Sequence, residues 1–393
     1  MSQRSVIIQR SLNVPFLANP VSGAAATFLW GPRQTGKTTL LKQVFPKGRL
    51  YDLLDTSLAA ELLLRPRLLR EQVLAERPEV VLVDEVQKIP ALLEEVHWLL
   101  ENTATTFVLC GSSARKLRRK ATNLLGGRAI DCTLFPLTSE EIGAVNLDKL
   151  LNHGALPVHY LLPDPKPLLK AYVNNYLKEE IIDEAVTRNI PAFARFLEIV
   201  GLTHGQQHNY ANVARESGVS ASTVRNYYQI LIDTLLGFEL APWRRRKKRR
   251  LVETAKFYLF DIGLANQLTP EVRSITPGTD LYGRAFEHFL INEVRAYLSY
   301  RRLDHEISYW RTRTGHEVDL IVGNMLLACE FKSSQNTRST DLRGLRALLQ
   351  EHTPGRAILV SRSESLRKTE DGIELWPWQE FCSRLWGDKL VEA

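Results

Sequence analysis

Residues 24–45 read AAATFLWGPRQTGKTTLLKQVF. An apolar, strand-like run leads into a turn containing Gly31, Pro32 and Gly36, and a helix-compatible segment follows. The centre matches GxxxxGK[ST] at Gly31, Gly36, Lys37 and Thr38, with Thr39 next in line. Phosphate binding requires this order of residue types. Glycines let backbone N–H groups wrap around phosphate oxygens, and the helix N-terminus adds positive potential. Lys37 is predicted to reach the β- and γ-phosphates, and Thr38 to offer its hydroxyl to Mg²⁺. The expected cofactors are therefore ATP and Mg²⁺.

Further along, EVVLVDEVQKIP predicts a buried strand ending in Asp84 and Glu85. A parallel strand presents such carboxylates at its C-terminal edge, where open α/β sheets bind ligands. Asp84 is then expected to hold Mg²⁺ and Glu85 to orient or deprotonate the attacking water. Without the phosphate loop, the same pair would read as a solvated acidic turn. TTFVLCGSS predicts another strand, ending in Ser112 and Ser113. These serines serve either as sensors of the γ-phosphate or as a helix N-cap, and both readings stand. In LLGGRAIDCTLFPL, Arg128 follows two glycines and precedes a strand, where an arginine can reach an adjacent subunit's nucleotide.

The set GPRQTGKTT, LVDEVQKIP, LCGSSARKL and GGRAIDCTLFPLT resembles the AAA+ ATPase module of a group of prokaryotic ATP-binding proteins. The C-terminal half of that group is a domain of unknown function, and KFYLFDIGLAN, GRAFEHFLINEV and HEVDLIV with CEFKSS resemble it too. The resemblance implies a homo-oligomeric ring, most often a hexamer, in which Arg128 acts on a neighbour. For a second sensor in the helical lid, Lys178 and Arg188 are the candidates.

The bulk composition fits this reading. A chain of 393 residues predicts two or three domains, and 44% hydrophobic with 24% charged residues describes a globular protein. No apolar run approaches a spanning helix and the first residues lack a signal-peptide pattern, so a cytoplasmic location without a membrane partner is expected. Cys110, Cys132, Cys329 and Cys382 show no zinc-site spacing and read as small core hydrophobes.

Between residues 208 and 240 the rhythm is that of a helix-turn-helix. Ala214 suits a first helix, Gly218 the tight turn, Val219 an inward position and Ser220 the next cap. Val224, Tyr228, Leu231 and Leu235 then form an apolar stripe at helical spacing. The remaining face carries Ser222, Arg225, Asn226 and Gln229, side chains that read base edges or hold phosphates, although such helices also mediate protein contacts.

FELAPW and LVETAKFYLF flank an unbroken row of Arg244, Arg245, Arg246, Lys247, Lys248, Arg249 and Arg250, whose charge equals the chain's whole net charge of +7. Two strands with this row at the tip predict a winged helix with a basic wing. There, repulsion costs little until a polyanion releases its counterions. The expected partner is duplex or branched DNA; a solvated loop, an anionic membrane surface and an import signal are the alternatives weighed against it.

The segment GHEVDLIVGNMLLACEFKSS predicts a hairpin turning at Gly323 and Asn324, with Val322 opposite Met325 and Asp319 opposite Ala328. Period-two alternation puts Asp319, Glu330 and Lys332 on one face, the D…ExK pattern of PD-(D/E)XK nucleases, which this segment resembles. Asp319 and Glu330 are expected to bind Mg²⁺ and Lys332 to orient water, with Glu287 as a further acid from an earlier helix. Nuclease-like folds also serve as binding scaffolds, so cutting does not follow from the pattern.

The expected fold is α/β: an AAA+ ATPase core and helical lid over 1–205, a winged helix over 206–260 and a PD-(D/E)XK nuclease-like domain over 261–393. The expected activity is an ATP-hydrolysing ring that remodels DNA. A nucleotide-dependent switch that recruits protein partners and a Mg²⁺-dependent nuclease with an ATPase loader are the rival readings.

Overall fold

The computed structural model describes residues 8–12, 26–112, 125, 128–177, 189–244, 255–269 and 274–391, without the side chains of 175–177. Ser113, Lys178, Arg188, Arg245, Arg246, Lys247, Lys248, Arg249 and Arg250 lie outside the described residues. Two compact units result, one drawn from Met1–Pro136 with Ile230–Leu236 and the other from Leu137–Gln229 with Gly237–Ala393.

The first unit is a parallel sheet in the order β2-β3-β4-β1-β5. Its strands are β1 (Ala26–Trp30), β2 (Arg49–Asp52), β3 (Val80–Asp84), β4 (Thr106–Gly111) and β5 (Ala129–Thr133). Crossover helices join them: α1 (Lys37–Val44) after β1, α2 (Thr56–Leu64) and α3 (Arg67–Glu76) after β2, and α4 (Leu92–Asn102) after β3. Strands covered on both faces must be apolar throughout, and every residue of β1 is buried. Leu92, Leu93, Val96 and Leu99 form the buried side of α4 and join Val81, Val83, Phe107 and Leu109 in one core. Truncating Leu92, Leu93, Leu99 or Leu109 to alanine should cost about 2–5 kcal/mol.

Because every pairing is parallel, the strand ends meet at one edge. Register sets Trp30 against Gly111, and Val83 against Leu109. The consequence is that Gly31, Asp84, Glu85 and Ser112 all emerge at the same rim.

The second unit contains α5 (Leu147–His153), then α6 (Ile190–Leu202), α7 (Tyr210–Ser217) and, through Gln229, most of α8 (Ala221–Asp233). Gly218, at φ 73°, ends α7, and the Ser220 hydroxyl accepts from the Thr223 N–H at 3.2 Å to open α8. Phe193 and Phe196 of α6 pack on Tyr227 of α8 with ring centroids 4.7 and 5.2 Å apart. Val224, Tyr228 and Leu231 are buried as the stripe predicts, but the helix stops at Asp233 and Leu235 turns back at φ 60°.

An antiparallel hairpin follows, β6 (Gly237–Pro242) with β7 (Lys256–Leu259), and residues 205–208 run along β7. After α9 (Ile262–Leu268), the long helix α10 (Asp280–Arg301) packs against β10 (Leu327–Lys332). The remaining elements are β8 (Ile307–Arg311), β9 (Glu317–Val322), α11 (Arg343–Glu351), β11 (Arg356–Ser361), β12 (Arg367–Lys368), β13 (Glu374–Pro377) and α12 (Trp378–Trp386). The strands form one mixed sheet in the order β12-β13-β11-β10-β9-β8-β6-β7. Thus the hairpin beside α8 and the strands carrying Asp319 and Glu330 share a sheet, joined where Ala241 pairs with Ser308.

The β9–β10 turn differs from the expected two-residue loop. Val322 pairs with Leu327, not Met325, and Ile321 with Ala328. Four residues make the turn because Met325, at φ 64°, buries its side chain in the core while its carbonyl accepts from Gly355 N–H at 2.8 Å. The shift is by two residues, so the faces do not swap, and Asp319 now stands level with Glu330.

Candidate functional site

The phosphate loop closes on itself through its lysine. Lys37 Nζ donates to the Gly31 carbonyl at 2.6 Å and to the Pro32 carbonyl at 3.0 Å, and Thr35 Oγ1 donates to the Pro32 carbonyl at 2.8 Å. Gly36 has φ 94°, a conformation glycine adopts without the Cβ penalty, and a Cβ at Gly31 would lie 2.7 Å from the Leu134 carbonyl oxygen. No side chain caps α1 and no acidic residue occupies its first turn, so its leading N–H groups are directed at the loop without a competing carboxylate. Thr39 is exposed on that turn.

Arg10, buried at 8% exposure, holds the loop from behind: its guanidinium donates to the Thr35 carbonyl and to the Phe135 carbonyl, each at 2.6 Å. Nothing in the local sequence around Arg10 signals this, because both partners are distant in the chain.

At the same rim, Thr38 Oγ1 donates to Asp84 Oδ2 at 2.5 Å, and Asp84 Oδ1 accepts from the Glu85 N–H at 3.0 Å. Glu85 has a left-handed backbone, φ 55°, which turns its buried carboxylate toward β4. There it accepts from Gln87 Nε2 and, at 3.3 Å, from Ser112 Oγ, while Gln87 Nε2 also donates to Ser112 Oγ at 3.0 Å. The fold therefore brings Lys37, Thr38, Asp84, Glu85 and Ser112 together and adds Gln87. The signal for Gln87 was the sequence DEVQ itself, since a tight turn after Glu85 returns the amide to it.

Arg128 lies elsewhere. Its carbonyl accepts from Ala26 N–H at the N-terminal edge of the sheet, and its guanidinium pairs with Glu101 at 2.7 Å while staying 44% exposed. That ion pair holds the Glu101 carboxyl below its ordinary range. The four cysteines are buried and form no disulfide, and burial pushes the thiols of Cys110, Cys329 and Cys382 well up, which makes them poor nucleophiles.

On α8, Ser222, Arg225, Asn226 and Gln229 are all exposed and share one face by their spacing. Arg225 stacks over the Tyr210 ring at 5.1 Å, which orders its guanidinium without neutralising it. Arg244 is the first residue of the basic row and the only one described.

The D…ExK residues do converge. The Asp319 carboxylate accepts from the Phe331 N–H at 2.8 Å, Lys332 Nζ meets Glu330 Oε1 at 2.5 Å, and α10 brings in Glu287. The unexpected member is Lys256 of β7. Its ammonium lies 2.6 Å from Glu317, 2.9 Å from Glu287 and 3.9 Å from Asp319, and Tyr258 OH donates to the same Glu287 oxygen at 2.6 Å.

Burial alone would discharge Lys256, yet the charges of Glu287, Asp319 and Glu317 hold its pKa well above that of free lysine. Burial and then the Glu287 charge raise Asp319 to about 6, and burial with the Asp319 charge raises Glu330 well up. Removing one member of such a buried pair should cost about 3–5 kcal/mol. With an ammonium among them, these carboxylates do not fit the Mg²⁺ expected of Asp319 and Glu330. Among the described residues no group of three His, Cys, Asp or Glu side chains could hold a metal ion. Nor is any helix among them long and apolar enough to cross a membrane.

A parallel sheet with a phosphate loop and an acidic pair on its C-terminal rim defines a P-loop ATPase fold, and residues 24–143 match an AAA domain. Residues 145–274 and 282–381 match two domains of unknown function (DUF8612 and DUF4143), so the AAA domain is followed by segments similar to domains whose roles are not known. Uncharacterized proteins of Mycobacterium tuberculosis and Mycobacterium bovis are each 26% identical over 98% of this chain and 87% of their own length. Another, from Haemophilus influenzae, is 21% identical over 79% of each chain. Among solved structures, a Walker-type ATPase of Pyrococcus abyssi is similar at 14% identity and TM-score 0.47, covering 67% of this chain and 97% of that one.

Proposed function

We propose that the protein hydrolyses ATP at the rim of its parallel sheet and that DNA held by its C-terminal half drives this turnover. The observation that carries the first part is the hydrogen-bonded run Thr38–Asp84–Glu85–Ser112 beside Lys37. Lys37, now folded onto two carbonyls, exchanges them for phosphate oxygens, and the N–H groups of α1 receive the anion. Thr38 and Asp84 fit Mg²⁺ and would hold it, where it neutralises phosphate charge. Glu85 accepts the proton of the attacking water, while Gln87 and Ser112 fix its carboxylate and sense the γ-phosphate. Arg128, remote from its own loop and exposed, acts on the nucleotide of a neighbour in a homo-oligomeric ring.

The second part rests on the exposed polar face of α8 and the hairpin that follows it, the arrangement of a winged helix whose basic row meets DNA phosphates. The experiment is ATP binding and turnover of three variants. Lys37→Ala should lose binding and Glu85→Gln should bind ATP but hydrolyse it at least a hundredfold more slowly. Arg128→Ala should be inactive alone and regain turnover when mixed with Lys37→Ala. Wild-type turnover in the first two would overturn the site, and no recovery in the mixture would overturn its sharing.

A further inference from the structure

We infer that Lys256 is the resident cation of the acidic cluster on β9 and α10: its ammonium fills the oxygen set of Glu287, Glu317 and Asp319 that a divalent ion would share, and the C-terminal α/β domain therefore binds without cutting. The carboxylates come from three elements, Glu287 from α10, Glu317 and Asp319 from β9, and Glu330 from β10. Three of them converge within 4 Å on one nitrogen. A hard divalent ion selects such an oxygen set, but an ammonium already fills it and donates to it.

The lysine is not a surface side chain that has swung in. Lys256 is 5% exposed, its backbone pairs with Leu240 of β6, and its ammonium lies over the Tyr309 ring, 5.5 Å from the centroid. Meanwhile Glu330, at 6% exposure, keeps Oε2 buried with no hydrogen-bond partner, while its Oε1 is taken by Lys332. Two ammonium groups and the Arg311 guanidinium, 3.3 Å from Glu317, supply positive charge to the four carboxylates. Each of the four carboxylates therefore already faces a protein cation, and Lys256 serves three of them.

This inference goes beyond the ATPase reading and does not depend on it. The full-length, nucleotide-free protein is titrated with Mn²⁺, with bound ion counted by electron paramagnetic resonance. Wild type and Asp319→Asn should give superimposable isotherms, so that any weak ion at the phosphate loop cancels. Lys256→Ala should gain one site at least tenfold tighter than any in wild type, and Lys256→Ala with Asp319→Asn should lose it again. A wild-type site that disappears in Asp319→Asn would overturn the inference, and so would a folded Lys256→Ala without a new site. Should Lys256→Ala not fold, the wild-type comparison decides alone, backed by Mg²⁺-dependent cutting of linear and branched DNA. Wild type should show none, and cutting that Asp319→Asn abolishes would overturn the inference.

Discussion

Glu85 and Glu293 show how one residue type is put to two uses by its surroundings. Glu85 sits at φ 55°, a backbone state that costs a non-glycine residue on the order of 1 kcal/mol and is retained where a side chain must be aimed. Glu293 is enclosed, accepting from Ser139 N–H at 2.9 Å, Ser139 Oγ at 2.6 Å and Trp386 Nε1 at 2.7 Å. Burial outweighs these donors and raises its carboxyl from 4.5 to about 7. Since the folded chain holds this proton more tightly than the unfolded one, the stabilisation is complete below about 4.5 and is lost as pH rises through about 7. Glu293→Gln cannot ionise and should gain on wild type by about 1–3 kcal/mol between roughly pH 5 and pH 8, read as a pH-dependent difference in melting temperature. A difference constant across that range would refute the assignment.

At this scale, Lys37, Thr38, Asp84 and Glu85 were legible because their spacing is local and chemically specific. Arg10 and Lys256 were not, because each acts on partners fixed only by tertiary folding. A lysine opening the apolar strand KFYLF was the one hint of an inward-facing charge.

Among the elements, the β9–β10 hairpin shows where pattern stops and packing decides. Alternation gave the shared face of Asp319, Glu330 and Lys332, but the turn length depended on burying Met325, which no dipeptide preference reports. The α7–α8 pair was readable through Gly218 and the apolar stripe, and the exposed face at 222, 225, 226 and 229 follows from helical geometry. Continuity of β6 with β8 was not readable, since a parallel pairing of distant strands leaves no local mark. For the hairpin, the prediction concerns the row between its strands. Replacing Arg244 to Arg250 by Ser and Gly should lower duplex affinity at least tenfold and flatten the slope of log K against log salt by roughly 0.9 for each phosphate no longer neutralised. Fluorescence anisotropy at several salt concentrations measures both, and an unchanged slope would remove the row from the interface.

On the scale of the molecule, nucleotide chemistry lies in one unit, while the polar helix face, the hairpin and the lysine-filled cluster lie in the other. In the function proposed above, DNA on the second unit governs hydrolysis in the first. The most direct test is steady-state ATP turnover by the full-length protein at one low salt concentration, with no DNA, with duplex and with four-way junctions. Turnover should rise at least fivefold with one of the DNAs and stay at its basal rate in the row-replaced protein. An equal rate with and without every DNA, in protein that binds ATP, would contradict it.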